Sequence, residues 1–170
     1  MTGCCIAFGV QPFGDNSLLI IDGLHQYMPF YSVLYDKLKG GETIFYSFRS
    51  GLGINFLSLF SYYLSSPFNL LILFFKKSQL NMAVSMIIVL KIACSGMTAG
   101  IYFSSKSKKQ GFSIVMISMA YALSSYMVGY CWNVMWLDAI MIFPIIMMGL
   151  ERLLSLIHIS EPTRLRCISY

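Results

Sequence analysis

Charge is scarce in this chain, and acidic charge is scarcest: seven Asp and Glu in 170 residues, with all charged residues together only 11%. A water-soluble domain carries about a quarter charged residues, so that class is excluded. The five cysteines (Cys4, Cys5, Cys94, Cys131 and Cys167) have neither metal-ligand nor disulfide-framework spacing. Cys94 and Cys131 fall in or at the edge of apolar runs and read as small buried hydrophobes. What fills the chain instead is apolar: 57% hydrophobic, 15% aromatic, with mean hydropathy +0.70. These values describe an all-α integral membrane protein, whose first partner is the lipid bilayer. The net charge of +5 is no nucleic-acid signal, because the basic residues cluster at the ends of apolar runs, where they set orientation.

A helix needs about 20 mostly apolar residues to cross the hydrocarbon core. Gly111 to Leu137 contains no charged residue, and Leu80 to Phe103 contains only Lys91. Ala139 to Leu150 begins another span that ends at Glu151 and Arg152. Met1 to Val10 is apolar but too short to cross, and reads as the last turns of a first span. Asn55 to Phe75 is long enough, but Ser65-Ser66-Pro67 interrupts it, since proline removes a backbone donor and disfavours helix in the residue before it. It reads as an interfacial helix over 55–65 followed by a short embedded helix over 67–75, with a Pro-kinked full span as the alternative.

Charge arbitrates between these. If 55–75 does not cross, Lys106, Lys108 and Lys109 share a side with Glu151-Arg152, and Asp15, Asp22 and Asp138 share the other. The positive-inside rule puts the lysines in the cytoplasm and the aspartates outside, with Lys76-Lys77 as a minor violation. The expected order is 1–10 end of a first span, 11–78 external loop with interfacial helices, 79–104 span and 105–110 basic cytoplasmic loop. There follow 111–132 span, 133–138 external turn and 139–154 span. Residues 155–170 change character abruptly and read as a non-native tail, similar to translated sequencing adapter, to be left out of functional reasoning.

Within the long loop, Leu24, Tyr27, Met28, Tyr31, Leu34, Tyr35 and Leu38 recur at spacings of three and four, which predicts an amphipathic helix over 22–38 lying along the membrane. Gly40-Gly41 ends it. Asp22 stands at its head and Asp15 lies seven residues earlier, a carboxylate pair in a place where carboxylates are costly.

Several motifs carry a resemblance. Pro12-Phe13-Gly14-Asp15-Asn16-Ser17, then Asp22 with His25-Gln26-Tyr27 and Pro29-Phe30, resemble the start of the bacterial YfhO family. Gly51-Leu52-Gly53-Ile54-Asn55, Ser66-Pro67-Phe68-Asn69-Leu70, Tyr121-Ala122-Leu123-Ser124 and Asn133-Val134-Met135-Trp136-Leu137-Asp138-Ala139 extend the resemblance to about residue 154. It implies a multi-span glycosyltransferase of the GT-C type in a bacterial cytoplasmic membrane, of which this chain is similar to the N-terminal part. The first external loop, with membrane-parallel helices, would carry the catalytic acid. Such proteins resemble enzymes that move sugar from a polyprenyl-phosphate donor to a cell-surface polymer such as lipoteichoic acid.

By that resemblance Asp15 or Asp22 would be the base that deprotonates the acceptor hydroxyl, or would hold Mg²⁺ or Mn²⁺ against the donor phosphate. His25, Gln26, Asn133 and Asp138 would contact substrate, and Arg49 is a phosphate candidate that could approach bidentately. Each has a plainer alternative. Asp15 is good turn chemistry, and Asp22 could cap its helix. His25 and Gln26 could form a solvated face, Asp138 could be the polar lip of a helix after the Trp132–Trp136 aromatic belt, and Arg49 could be solvated. Lys91, near mid-span, could bind phosphate, pair with a carboxylate from a further part of the full-length protein, or snorkel. The rival functions are a transporter or flippase for a lipid-linked substrate, and a non-catalytic membrane scaffold. Acids gathered on one face argue against transport, which places its polar groups near the midplane.

Overall fold

The computed structural model describes residues 2–11, 13–49, 52–107 and 111–166, with side chains described except those of Thr2, Cys4, Cys5 and residues from 158 onward. Pro12, Gly51, Lys108 and Lys109, all used in the sequence reading, lie outside the described residues, as do Cys167 and the end of the tail. Among the described residues all regular structure is helical, with two isolated backbone pairings, Val10 with Asn16 and Ser47 with Ile54. Helix α1 is Thr2–Ala7. A π-helical turn, Gly23–Tyr27, runs directly into α2, Met28–Gly40, which Gly41 terminates in the left-handed conformation. Helix α3, Phe56–Leu59, runs into a second π turn, Phe60–Leu64, and a 3₁₀ helix follows over Pro67–Phe74. Then come α4 (Leu80–Lys106), α5 (Phe112–Ala122), α6 (Ser125–Gly129) and α7 (Val134–Arg166).

Two helices are long and apolar enough to cross a membrane, Lys77–Lys106 and Val134–Ile157. A third candidate is the pair Phe56–Leu64 and Pro67–Phe74, bent by 101°. The bend has the cause expected from Ser66-Pro67: Ser66 takes an extended backbone (φ −70°, ψ 132°), as a residue before proline prefers.

Cross-contacts fix the directions. Lys91 meets Asp138, Thr98 bonds to the carbonyl of Met141, and Lys106 pairs with Glu151. Both residue numbers rise together, so α4 and α7 run parallel. Gly96 abuts Ala122 and Gly100 abuts Ser118, so α5 returns antiparallel, with glycines allowing the close approach common between membrane helices. The uncharged run over 111–132 is divided, however. Helix α5 has 11 residues, roughly 16 Å at the α-helical rise, well short of the ~30 Å hydrocarbon core. It stops at Leu123, Ser124 is extended (φ −59°, ψ 155°), and α6 is a separate short helix.

Helix α7 starts beside Lys91, part-way down α4, since the Lys91 ammonium bonds the carbonyl of Val134. The space above is filled by α2 and the bent pair. Tyr27, Tyr31 and Leu34 are buried in one cluster with Phe56, Leu64, Ile72, Leu80, Val84 and Ile87. The periodic stripe of the loop helix therefore packs on the bundle, while Leu24 and Leu38, at its two ends, are exposed.

Candidate functional site

The turn carrying Asp15 is held by its neighbours. Gly9 is left-handed (φ +59°), the Asn16 side chain donates to Phe8 O at 2.9 Å, and Asn16 N donates to Gly9 O at 3.0 Å. A Cβ on Gly14 would lie 2.3 Å from Gly9 O, so only glycine fits there. Ser17 then ties the segment to the head of α4 by donating to Asn81 Oδ1 at 2.8 Å. Among the described residues nothing donates to the exposed carboxylate of Asp15, so its neighbours, rather than Asp15, do the turn-making.

Asp22 also lacks its plainer role. It precedes the first π turn, yet its side chain makes no capping hydrogen bond, and it is exposed. The residue before it, Ile21, has φ +48°. A β-branched residue there is strained, by about 1–3 kcal/mol, and such strain gathers at functional sites. Gly23 after it packs so closely that a Cβ would lie 3.1 Å from Cβ of Trp132. Asp22 is thereby held at the start of α7.

The two π turns meet beside it. Gln26 Nε2 donates to Tyr63 Oη at 3.0 Å, and the Tyr27 and Tyr63 rings pack edge-on at 5.5 Å. Tyr27 Oη donates to Asn133 Oδ1 at 2.6 Å. Burial raises the Tyr27 phenol well above the ordinary tyrosine range, and the Asp22 carboxylate acts in the same direction. Asp22, Gln26 and Asn133 thus share one end of the molecule, joined through Tyr27. His25 is exposed there, and its side chain has no partner among the described residues. Single-turn π bulges recur at functional sites because they re-aim the side chains around them.

Asp138 is placed differently. Oδ2 lies 2.8 Å from Lys91 Nζ, and Oδ1 accepts from Ser66 Oγ at 3.0 Å. Lys91 is completely buried and also donates to Val134 O at 3.1 Å. Both groups are therefore engaged with each other, Lys91 fully buried and Asp138 partly exposed.

Arg49 belongs to a separate charge cluster. Its guanidinium contacts Asp36 at 2.5 Å and Glu42 at 2.9 Å, and Lys77 Nζ lies 2.6 Å from Asp36. Asp36 is fourteen residues beyond Asp22, roughly 20 Å along the helix, so Arg49 and Asp22 are not brought together. Lysine hydrogen bonding and the adjacent guanidinium hold Asp36 below the ordinary carboxylate range. Among the described residues there is no group of three or more His, Cys, Asp and Glu fit to hold a metal.

The sequence reading missed Tyr31, Tyr63, Asn69 and Ser66 as an internal polar seam. Tyr31 Oη donates to Asn69 Oδ1 at 2.8 Å, with both residues buried. The available signal was Asn69 itself, an amide inside an apolar run.

Parallel apolar helices, a bent helical pair and a polar seam beneath a loop helix packed on the bundle define an all-α membrane protein. The chain matches the family described as bacterial membrane protein YfhO over residues 1–159, and it belongs to that family. No curated protein and no solved structure matches it.

Proposed function

We propose that this chain carries the acid-bearing part of a membrane glycosyltransferase, one that moves a sugar from a polyprenyl-phosphate donor to an extracytoplasmic polymer such as lipoteichoic acid. The observation that carries the reading is Asp22: an exposed carboxylate that neither caps its helix nor, among the described residues, pairs, beside strained Ile21 and one turn before Gln26. In the reaction Asp22 takes the proton from the acceptor hydroxyl as that oxygen bonds to C1 of the sugar. The C1–O bond to phosphate breaks, and its electron pair leaves with the phosphate. A positioned general base of this kind contributes on the order of 10²–10⁴ in rate. Asp15, on the glycine turn seven residues earlier in the sequence, is the second candidate acid.

Charge supports placing this end outside the cytoplasmic membrane. Lys106 and Arg152 lie at the opposite end of the parallel helices. The apparent violation at Lys77 is neutralised by Asp36. Transport through the bundle is disfavoured by the Lys91–Asp138 pair, which is closed on itself rather than lining a path.

The test is Asp22→Asn and Asp15→Asn, made singly in the full-length protein, with polymer-linked sugar measured. Asp22→Asn is expected to lose about a hundredfold or more of transfer. Unchanged transfer in both variants would sink the proposal.

A further inference from the structure

We infer that Lys91 and Asp138 are positioning residues that set the elbow of the bent helical pair, and through it the head of the Asp22 helix. The consequence for sugar transfer rests on the function proposed above; the mechanical link does not.

Asp138 is one carboxylate serving three elements. Its Oδ2 faces Lys91 on α4, its Oδ1 faces Ser66 at the elbow, and it is itself anchored on α7. Lys91 fixes which way the carboxylate points, because a fully buried ammonium without an anion is costly, and its second bond goes to Val134 O in the first turn of α7. The remaining oxygen is then held where the Ser66 hydroxyl reaches it. Ser66 lies, with Ser65, in the two-residue break across which the chain turns by 101°.

From the elbow two arms run to the same helix. Three residues before Ser66, Tyr63 accepts from Gln26 and packs against Tyr27. Three residues after it, Asn69 accepts from Tyr31 and donates to Leu64 O. Gln26, Tyr27 and Tyr31 lie in the first turns of the helix headed by Asp22. A shift at Ser66 is therefore passed to the base of the candidate site by two rigid, hydrogen-bonded side chains. Simple packing does not require this arrangement, since apolar residues of similar volume can replace a buried ion pair without loss of stability. What they cannot replace is the bond to Ser66.

That difference supplies the experiment. In the cysteine-free full-length protein, Leu64→Cys places a thiol at a fully buried position beside the elbow, and its rate of maleimide labelling reports elbow opening. Ser66→Ala removes only the elbow bond, and the double variant Lys91→Met with Asp138→Leu removes the charges while keeping the volume. Both are expected to fold with parental yield, to label several-fold faster, and to lower kcat for sugar transfer on the order of tenfold, with KM for the donor unchanged. Ser66→Thr, which keeps the hydroxyl that bonds Asp138, is expected to hold both readouts at the parental level. Parental labelling rates in both variants would overturn the inference, whatever happens to transfer. If the parent itself transfers no sugar, the function proposal fails, and the labelling rates alone decide the positioning role.

Discussion

Replacing Tyr31 with phenylalanine removes one oxygen from the most enclosed part of the polar seam. Tyr31 is 0% exposed and Asn69 2%, and their hydrogen bond is 2.8 Å. Burial already pushes the phenol far above its ordinary titration range, so it is a permanent donor. The variant keeps the ring and opens no cavity beyond the hydroxyl, so the cost is that of an orphaned acceptor. Asn69 Oδ1 would be left buried without its donor, at about 1–3 kcal/mol. With ~1.4 kcal/mol per tenfold, that range spans about five- to 150-fold in the unfolding equilibrium. Reversible denaturation in detergent micelles reads it directly. Tyr27→Phe, whose partner Asn133 is half-buried, should cost less, and Tyr63→Phe, where both Tyr63 and its partner Gln26 are half-buried, less again. A double-mutant cycle with Asn69→Leu should show coupling of about 0.5–3 kcal/mol. Tyr31→Phe as stable as the parent, with no coupling to Asn69, would refute the seam as a source of stability.

Gly14→Ala should break the turn under Asp15, because its Cβ would meet Gly9 O at 2.3 Å and backbone cannot yield as a side chain can; the check is loss of transfer with the bundle still folded by circular dichroism. Acidification should loosen the Arg49 loop. Asp36 is held below the ordinary carboxylate range by Lys77 and Arg49, so its stabilisation is complete above the ordinary pKa of about 4 and is lost as pH falls through the lowered folded value. Limited proteolysis at Phe45–Phe48, exposed except for Ser47, should accelerate in that acidic window, and Asp36→Asn should remove most of the pH dependence.

The membrane class and the loop helix were legible because hydropathy and spacing are local properties. Tyr27, Tyr31, Leu34 and Tyr35 lie on the buried stripe where the three-and-four repeat puts them. The break at Ser66-Pro67 was legible for the same reason, as proline acts on the residue beside it. The Lys91–Asp138 pair was not: its members are 47 positions apart, and their meeting depends on α4 and α7 running parallel at one register. The division of 111–132 also escaped, since Leu123 and Ser124 carry no breaker chemistry and the uncharged run continues through them. Nor do the π turns leave a residue signature, so the re-aiming of Gln26 and Tyr63 toward one another could be seen only in three dimensions. For the acids, residue type alone could not separate a cap from an uncommitted carboxylate. The structure separates them by showing Asp22 without a capping bond.

The late start of α7 has a consequence for thickness. Between Asp138 and Glu151 the helix has thirteen rises, roughly 20 Å, against a hydrocarbon core of ~30 Å. The return leg through α5 is shorter still. Asp138 and the bonds around it therefore lie within the depth that the 24-residue apolar helix Val134–Ile157, roughly 36 Å long, is able to span. The head of α7 is thereby set below the head of α4, by the eleven residues from Leu80 to Lys91, roughly 16 Å along that helix.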